Sequence, residues 1–132
     1  MRILLNNILD LVARIFISSI FLFSGINKIL NYNSTVQWME GFGVPGILLT
    51  PTIILEIVLP ILIIVGYQTK IASLLLALFC VSTAYIFHND FSNQMQIIAL
   101  LKNIGLAGGL LFIVINGTKD WALEREKKYV RM

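Results

Sequence analysis

The chain has 132 residues, 58% hydrophobic and only 13% charged, with a formal net charge of +3. Soluble domains carry roughly 45–50% apolar and about 25% charged residues, so this composition excludes an ordinary soluble core and points to a single membrane domain, residues 1–132, with no linker or repeat. One cysteine and one histidine exclude an intramolecular disulfide, a dithiol redox cycle and a multi-histidine metal or haem site within one chain, and so small a net charge makes no case for a nucleic-acid partner.

The first apolar run, Ile8 to about Ile29, follows Arg2 and looks at first like a secretory leader. It is longer than a leader's apolar region, contains Arg14 and lacks a small-x-small cleavage site, so it reads as a retained span. A membrane helix needs about 20 mostly apolar residues. Four segments meet that length: 8–30, 46–65, 71–87 and 97–115. Lipid offers no partner to free backbone groups, which predicts helices for all four and a four-transmembrane-helix bundle, an all-α fold.

The connections carry their own signals. Between the first two spans, Ser34 followed by Gln37 predicts a capping box opening a short helix through Trp38, Met39 and Phe42, lying at the membrane interface with Trp38 as anchor. Gly43-Val44-Pro45-Gly46 ends it. Pro51 marks either the first turn of the second span or a kink within it. Gly66-Tyr67-Gln68-Thr69 forms the next turn, Phe87 to Gln96 links the last two spans, and Asn116-Gly117 closes the fourth. Four spans put both termini and the turn at 66–70 on one side. That side holds Arg2, Lys70, Lys119, Arg125, Lys127, Lys128 and Arg131, whereas the opposite loops offer Lys28 alone. Positive residues favour the cytoplasm, so both tails are expected there, with Trp121 as an anchor on that face and residues 117–132 as a cytoplasmic tail.

Ionisable residues within spans are costly and usually face a bundle interior or a wet cavity. Here they are Arg14, Glu56 and Lys102, with Lys28, His88 and Asp90 near the outer ends. At about 100° per residue, Arg14, Ser18, Phe21, Gly25 and Lys28 share one stripe of the first helix. Ser73, Ala77, Cys80, Ala84 and His88 share another on the third, and Lys102, Gly105 and Gly109 a third on the fourth, where the glycines permit close approach. Each stripe is expected to face its neighbours. Arg14 has the reach to approach Glu56, as a salt bridge fixing helix register or as a polar site for a quinone headgroup, a proton or a small ligand. Lys102 sits in the first part of its helix, against the dipole, and calls for a nearby acid, Asp90 or Glu56. Lys28 could snorkel. His88 could end its helix or, beside Asp90, shuttle protons. Cys80, among small apolar residues, reads as packing.

At these residues the chain resembles the DoxX family of small bacterial membrane proteins over nearly its whole length. The segment from Ala13-Arg14 to Gly25-Ile26-Asn27-Lys28 looks like that family's first span. Leu55-Glu56-Ile57 with Gly66-Tyr67-Gln68-Thr69-Lys70 resembles its second-span glutamate and inner turn, Ile86-Phe87-His88-Asn89-Asp90-Phe91 its outer histidine segment, and Leu101 to Gly109 its fourth span. One departure is Leu59-Pro60, where members often carry paired glycines. The resemblance implies an inner-membrane four-helix protein with Arg14, Lys28, Glu56, His88, Asp90 and Lys102 as candidate site residues. It also implies association with a quinone-linked oxidoreductase system, with no intrinsic cofactor and quinone as the carrier. A non-catalytic scaffold or assembly subunit that recruits a partner protein is the alternative. A small transporter is a third reading, and four spans would then call for a second copy of the chain.

Overall fold

The computed structural model describes residues 1–123, so the tail cations Arg125, Lys127, Lys128 and Arg131 lie outside the described residues. Four helices are long and apolar enough to cross a membrane. Helix α1 runs over Arg2–Leu30, α2 over Tyr32–Gly41, α3 over Leu49–Val65 after a 3₁₀ turn at Gly46–Leu48, α4 over Thr69–Phe87 and α5 over Gln94–Asn116. The spanning helices alternate in direction. α1 packs along α3, α3 on α4 and α4 along α5, while α1 and α5 touch over only a short stretch. Large apolar side chains such as Phe16, Phe23, Leu101 and Phe112 cover the outside, which suits a lipid solvent and no aqueous one.

The buried faces follow the expected stripes on two helices. α1 buries Asn7, Arg14, Ser18, Phe21 and Gly25; α4 buries Ala72, Ser73, Leu76, Ala77, Cys80 and Ala84 among others. Cys80 is a buried free cysteine in the central cluster with Phe21, Ile63, Leu76, Ala107 and Leu110. The stripe expected on α5 is corrected. Lys102 and Gly105 are exposed, and the buried residues are Ala107 and Leu110. Asn103 shares their side of the helix and donates across to Thr83 Oγ1 at 3.3 Å. That polar contact and the small side chains opposite it turn α5 by about one residue, roughly 100°, from the expected face.

The interfacial helix also starts differently. Asn31 alone separates α1 from α2, and its side chain donates back to the Asn27 carbonyl at 3.1 Å. The chain resumes helix at Tyr32, so Ser34 and Gln37 lie within α2 and make no capping box; its N-terminus has no side-chain cap. Trp38 stacks on Phe87 with ring centroids 4.5 Å apart, and Phe42 meets both rings edge-on. This aromatic cluster holds α2 down on the end of α4. Pro51 falls in the first turn of α3, where a missing N–H costs nothing. Pro60 is the interior proline. At the loop after α4, Asp90 accepts from the hydroxyl and backbone N–H of Ser92. Those two bonds, the hydroxyl's first, hold its carboxyl below the ordinary value.

Candidate functional site

Two polar centres lie in the bundle, one near each end. At the end where α1 begins and α5 finishes, Arg14 is 1% exposed. Its Nε donates to Asp10 Oδ2 at 3.0 Å, its two terminal nitrogens to the carbonyls of Ile63 at 3.1 Å, Ile64 at 2.7 Å and Trp121. The last four carbonyls of any helix lack intrahelical donors. In α3 all four are supplied: Leu62 by the N–H groups of Gly66 and Tyr67, Ile63 and Ile64 by Arg14, and Val65 by the N–H of Leu123. A guanidinium at this negative helix end is electrostatically favoured as well. Residues 117–123 fold back over the bundle end. Asp10 Oδ2 also accepts from the Lys119 N–H at 3.1 Å, and Asn7 Oδ1 from the Asp120 N–H at 3.1 Å. Gly66, with φ of +78°, permits this approach, since a Cβ there would lie 2.3 Å from that of Ala122. Arg14 is thus a helix cap and tail clasp, and the Arg14–Glu56 pair expected from reach is not formed. Carbonyls already waiting at its own level outcompete a carboxylate several turns away.

Glu56 pairs with Lys28 instead. Lys28 Nζ lies 2.8 Å from Glu56 Oε1, with the carboxylate 3% and the lysine 24% exposed. The ammonium also donates to Ser24 Oγ at 2.6 Å, one turn back on α1. Helix geometry accounts for this pair. A helical side chain leans toward its own N-terminus, so Lys28 reaches down α1 into the bundle, toward the level of Gly25. There α1 and α3 are in close contact: a Cβ on Gly25 would stand 3.3 Å from that of Glu56 and 2.8 Å from Ile57 Cδ1. Pro60 has no N–H to offer the Glu56 carbonyl, its α-helical partner four residues back. Polar capacity is therefore concentrated around Glu56. Its Oε1 is buried and, although ion-paired, accepts no aligned hydrogen bond. Glycine at 25 is required by this packing. Gly25→Leu is expected to part α1 from α3 and cost about 3 kcal/mol, read as an earlier thermal unfolding transition in detergent and a disrupted Lys28–Glu56 pair.

The remaining candidates stand apart. His88 caps the end of α4 and its Nδ1 lies 2.9 Å from Gln96 Oε1, bridging to α5. Asp90 is exposed and engaged by Ser92, so His88 and Asp90 are not partners. Lys102 is exposed and meets neither Asp90 nor Glu56, correcting the acid expected beside it. No group of three or more potential metal ligands occurs among the described residues. Asp10, Asn7 and the Trp121 carbonyl were missed from sequence. The signal for Asp10 was present, since Asp10 and Arg14 are four apart and face each other on a helix.

These features define a small multi-pass membrane protein, a four-helix bundle with a lysine–carboxylate pair buried among its spans. The DoxX family model matches residues 9–89, and the chain belongs to the DoxX family. It is 36% identical over 115 residues to the inner membrane protein YqjF of Escherichia coli (strain K12), covering 87% of this chain and 88% of that one. It is 31% identical over 125 residues to the inner membrane protein YphA of the same organism, covering 89% of each. With the four apolar helices, these relatives support an inner-membrane location. No solved structure matches the chain significantly.

Proposed function

We propose that the protein is a membrane subunit of a quinone-linked oxidoreductase system and that the Lys28–Glu56 pair binds the carrier's head. The observation that carries this reading is the pair's unspent hydrogen-bonding capacity at membrane depth. An ammonium has three donors; one goes to Ser24 and one faces Glu56, which leaves a third for a ligand on this partly exposed lysine. Among the described residues, Glu56 Oε1 is held by the Lys28 ion pair alone. Lys28 fits a ring carbonyl as donor and Glu56 fits a ring hydroxyl as acceptor, the two groups that distinguish a quinone from its quinol. A buried ionisable pair within membrane spans is costly and marks a candidate functional site, and Arg14 is accounted for as a cap. The electrons come from a partner protein. Its natural side is the cytoplasm, where the cationic residues place both tails by the positive-inside rule.

Binding of a short-chain quinone to the protein in lipid nanodiscs tests this. Saturable binding is expected, weakened at least tenfold (about 1.4 kcal/mol) in Lys28→Gln, which removes the ammonium donor to the ring carbonyl. Mild-detergent recovery from native membranes is expected to bring down an oxidoreductase. Uptake that follows lipid volume alone and is the same in both proteins would reject the site.

A further inference from the structure

α1 and α5 form the loosest seam of the bundle. It is closed at one level, where a Cβ on Gly109 would stand 3.0 Å from Ile17 Cδ1; one turn nearer the loop end, a Cβ on Gly105 would meet nothing within 4 Å. Lys102 lies seven residues before Gly109, two helical turns away and within about 20° of the same direction. It therefore stands on the α5 wall of the seam, above the closed point. On α1, Ser24 and Lys28 follow Ile17 by seven and eleven residues and share its face. They form the opposite wall, with Glu56 behind.

The two lysines lean toward one layer. α1 and α5 run in opposite directions, so Lys28 reaches from the loop end inward and Lys102, about 12 Å along α5 from Gln94, reaches outward. Lys28 and Glu56 cancel in charge. Lys102 is not cancelled: it is exposed and forms no hydrogen bond or ion pair among the described residues. A cation held that far inside an apolar helix is costly without an anion. The buried Glu56 Oε1 has Lys28 as its one partner among the described residues, which leaves the carboxylate able to accept from a polar ligand as well.

We propose that the α1–α5 seam is a lateral entrance from the bilayer to the Lys28–Glu56 pair, and that Lys102 selects single-tailed amphiphiles whose head bears one negative charge. This rests on reading the pair as a ligand site and adds the route and a second, anionic class of ligand, since a quinone head is neutral and gains nothing from Lys102. Lys102 is a binding residue at the entrance, and Gly105 provides the space for a tail or ring beside it.

Oleate and oleyl alcohol, equal in tail and different in head charge, are the probes, with the full chain in zwitterionic nanodiscs and native mass spectrometry as readout. Oleate is expected to bind at least tenfold tighter than the alcohol. Lys102→Gln is expected to bring that ratio near one, and Gly105→Phe to block both probes while thermal stability is kept. A wild-type ratio near one, or a ratio unchanged in Lys102→Gln, overturns the proposal and leaves Lys102 a lysine that snorkels to the interface. Displacement of oleate by equimolar phosphatidylglycerol would assign the seam to a phospholipid head and overturn the single-tail assignment. Quinone binding intact with no oleate preference rejects the seam alone. Lys102-dependent oleate binding without quinone binding rejects the carrier reading and keeps the seam.

Discussion

Arg14→Met is expected to be the most damaging single substitution in this protein. It removes four hydrogen bonds at once, takes the counter-charge from Asp10 and strands the carbonyls of Ile63, Ile64 and Trp121. Stripping one partner from a buried charged pair costs about 3–5 kcal/mol, and each buried carbonyl left bare adds roughly 1–3 kcal/mol unless it finds other partners. Net stabilities are about 5–15 kcal/mol, so the variant is expected to lose its folded form in mild detergent. Arg14→Lys should fall between, because an ammonium cannot span three carbonyls and a carboxylate with a planar fork's geometry. The specific readout is the tail. In Arg14→Lys, protease cleavage within residues 117–123 should accelerate before the transmembrane helices melt. Equal protection in wild type and Arg14→Lys, with equal melting of Arg14→Met, would show that Arg14 does not clasp the tail.

The second large effect is expected at the opposite end of the bundle. Lys28→Met leaves Glu56, 3% exposed, without its counter-charge. The expected loss is roughly 3 kcal/mol, the low end of the range for breaking a buried pair because the lysine is partly accessible. Glu56→Gln alone should cost less, since a neutral amide can still accept from the ammonium. The double variant Lys28→Met/Glu56→Gln should recover most of what Lys28→Met lost. Thermal unfolding of the four proteins forms a double-mutant cycle, and a coupling energy near zero would mean the 2.8 Å contact carries no net interaction. Recovery of stability without recovery of quinone binding in the double variant would separate the pair's structural contribution from its proposed role.

Much of the architecture was legible in the chain. The four spans follow from length and hydropathy, and the inward stripes of α1 and α4 follow from helical periodicity, because a polar or small residue facing lipid or a large one facing a close neighbour would each be penalised. Arg14, Ser18, Phe21 and Gly25 could be listed as one face before any neighbour was known. On α5 the same reasoning selected the wrong face. Lys102, Gly105 and Gly109 do lie along one line, but only Gly109 reaches α1, and Asn103 and Ala107 turn the helix toward α4. Periodicity says which residues share a direction and not which neighbour lies in it.

Partner identity was the other boundary. The Asp10–Arg14 bond is local, four residues apart, and belongs to the sequence by helix geometry alone. The Ile63, Ile64 and Trp121 carbonyls lie 49, 50 and 107 residues from Arg14, and a backbone acceptor leaves no trace in residue type. Glu56 was visible as a costly charge, and Lys28 as a lysine near the helix end that could snorkel. Only the close passage of α1 against α3 at Gly25, and the lean of Lys28 toward its own N-terminus, decided that these two would meet. The sequence by itself determined a four-span membrane protein and two of the charges it buries, Arg14 and Glu56, because hydropathy and charge act residue by residue. The tertiary structure decided which charge answers which, since pairing in an apolar medium is settled by the nearest available donor or acceptor, and nearness between helices is a property of their packing.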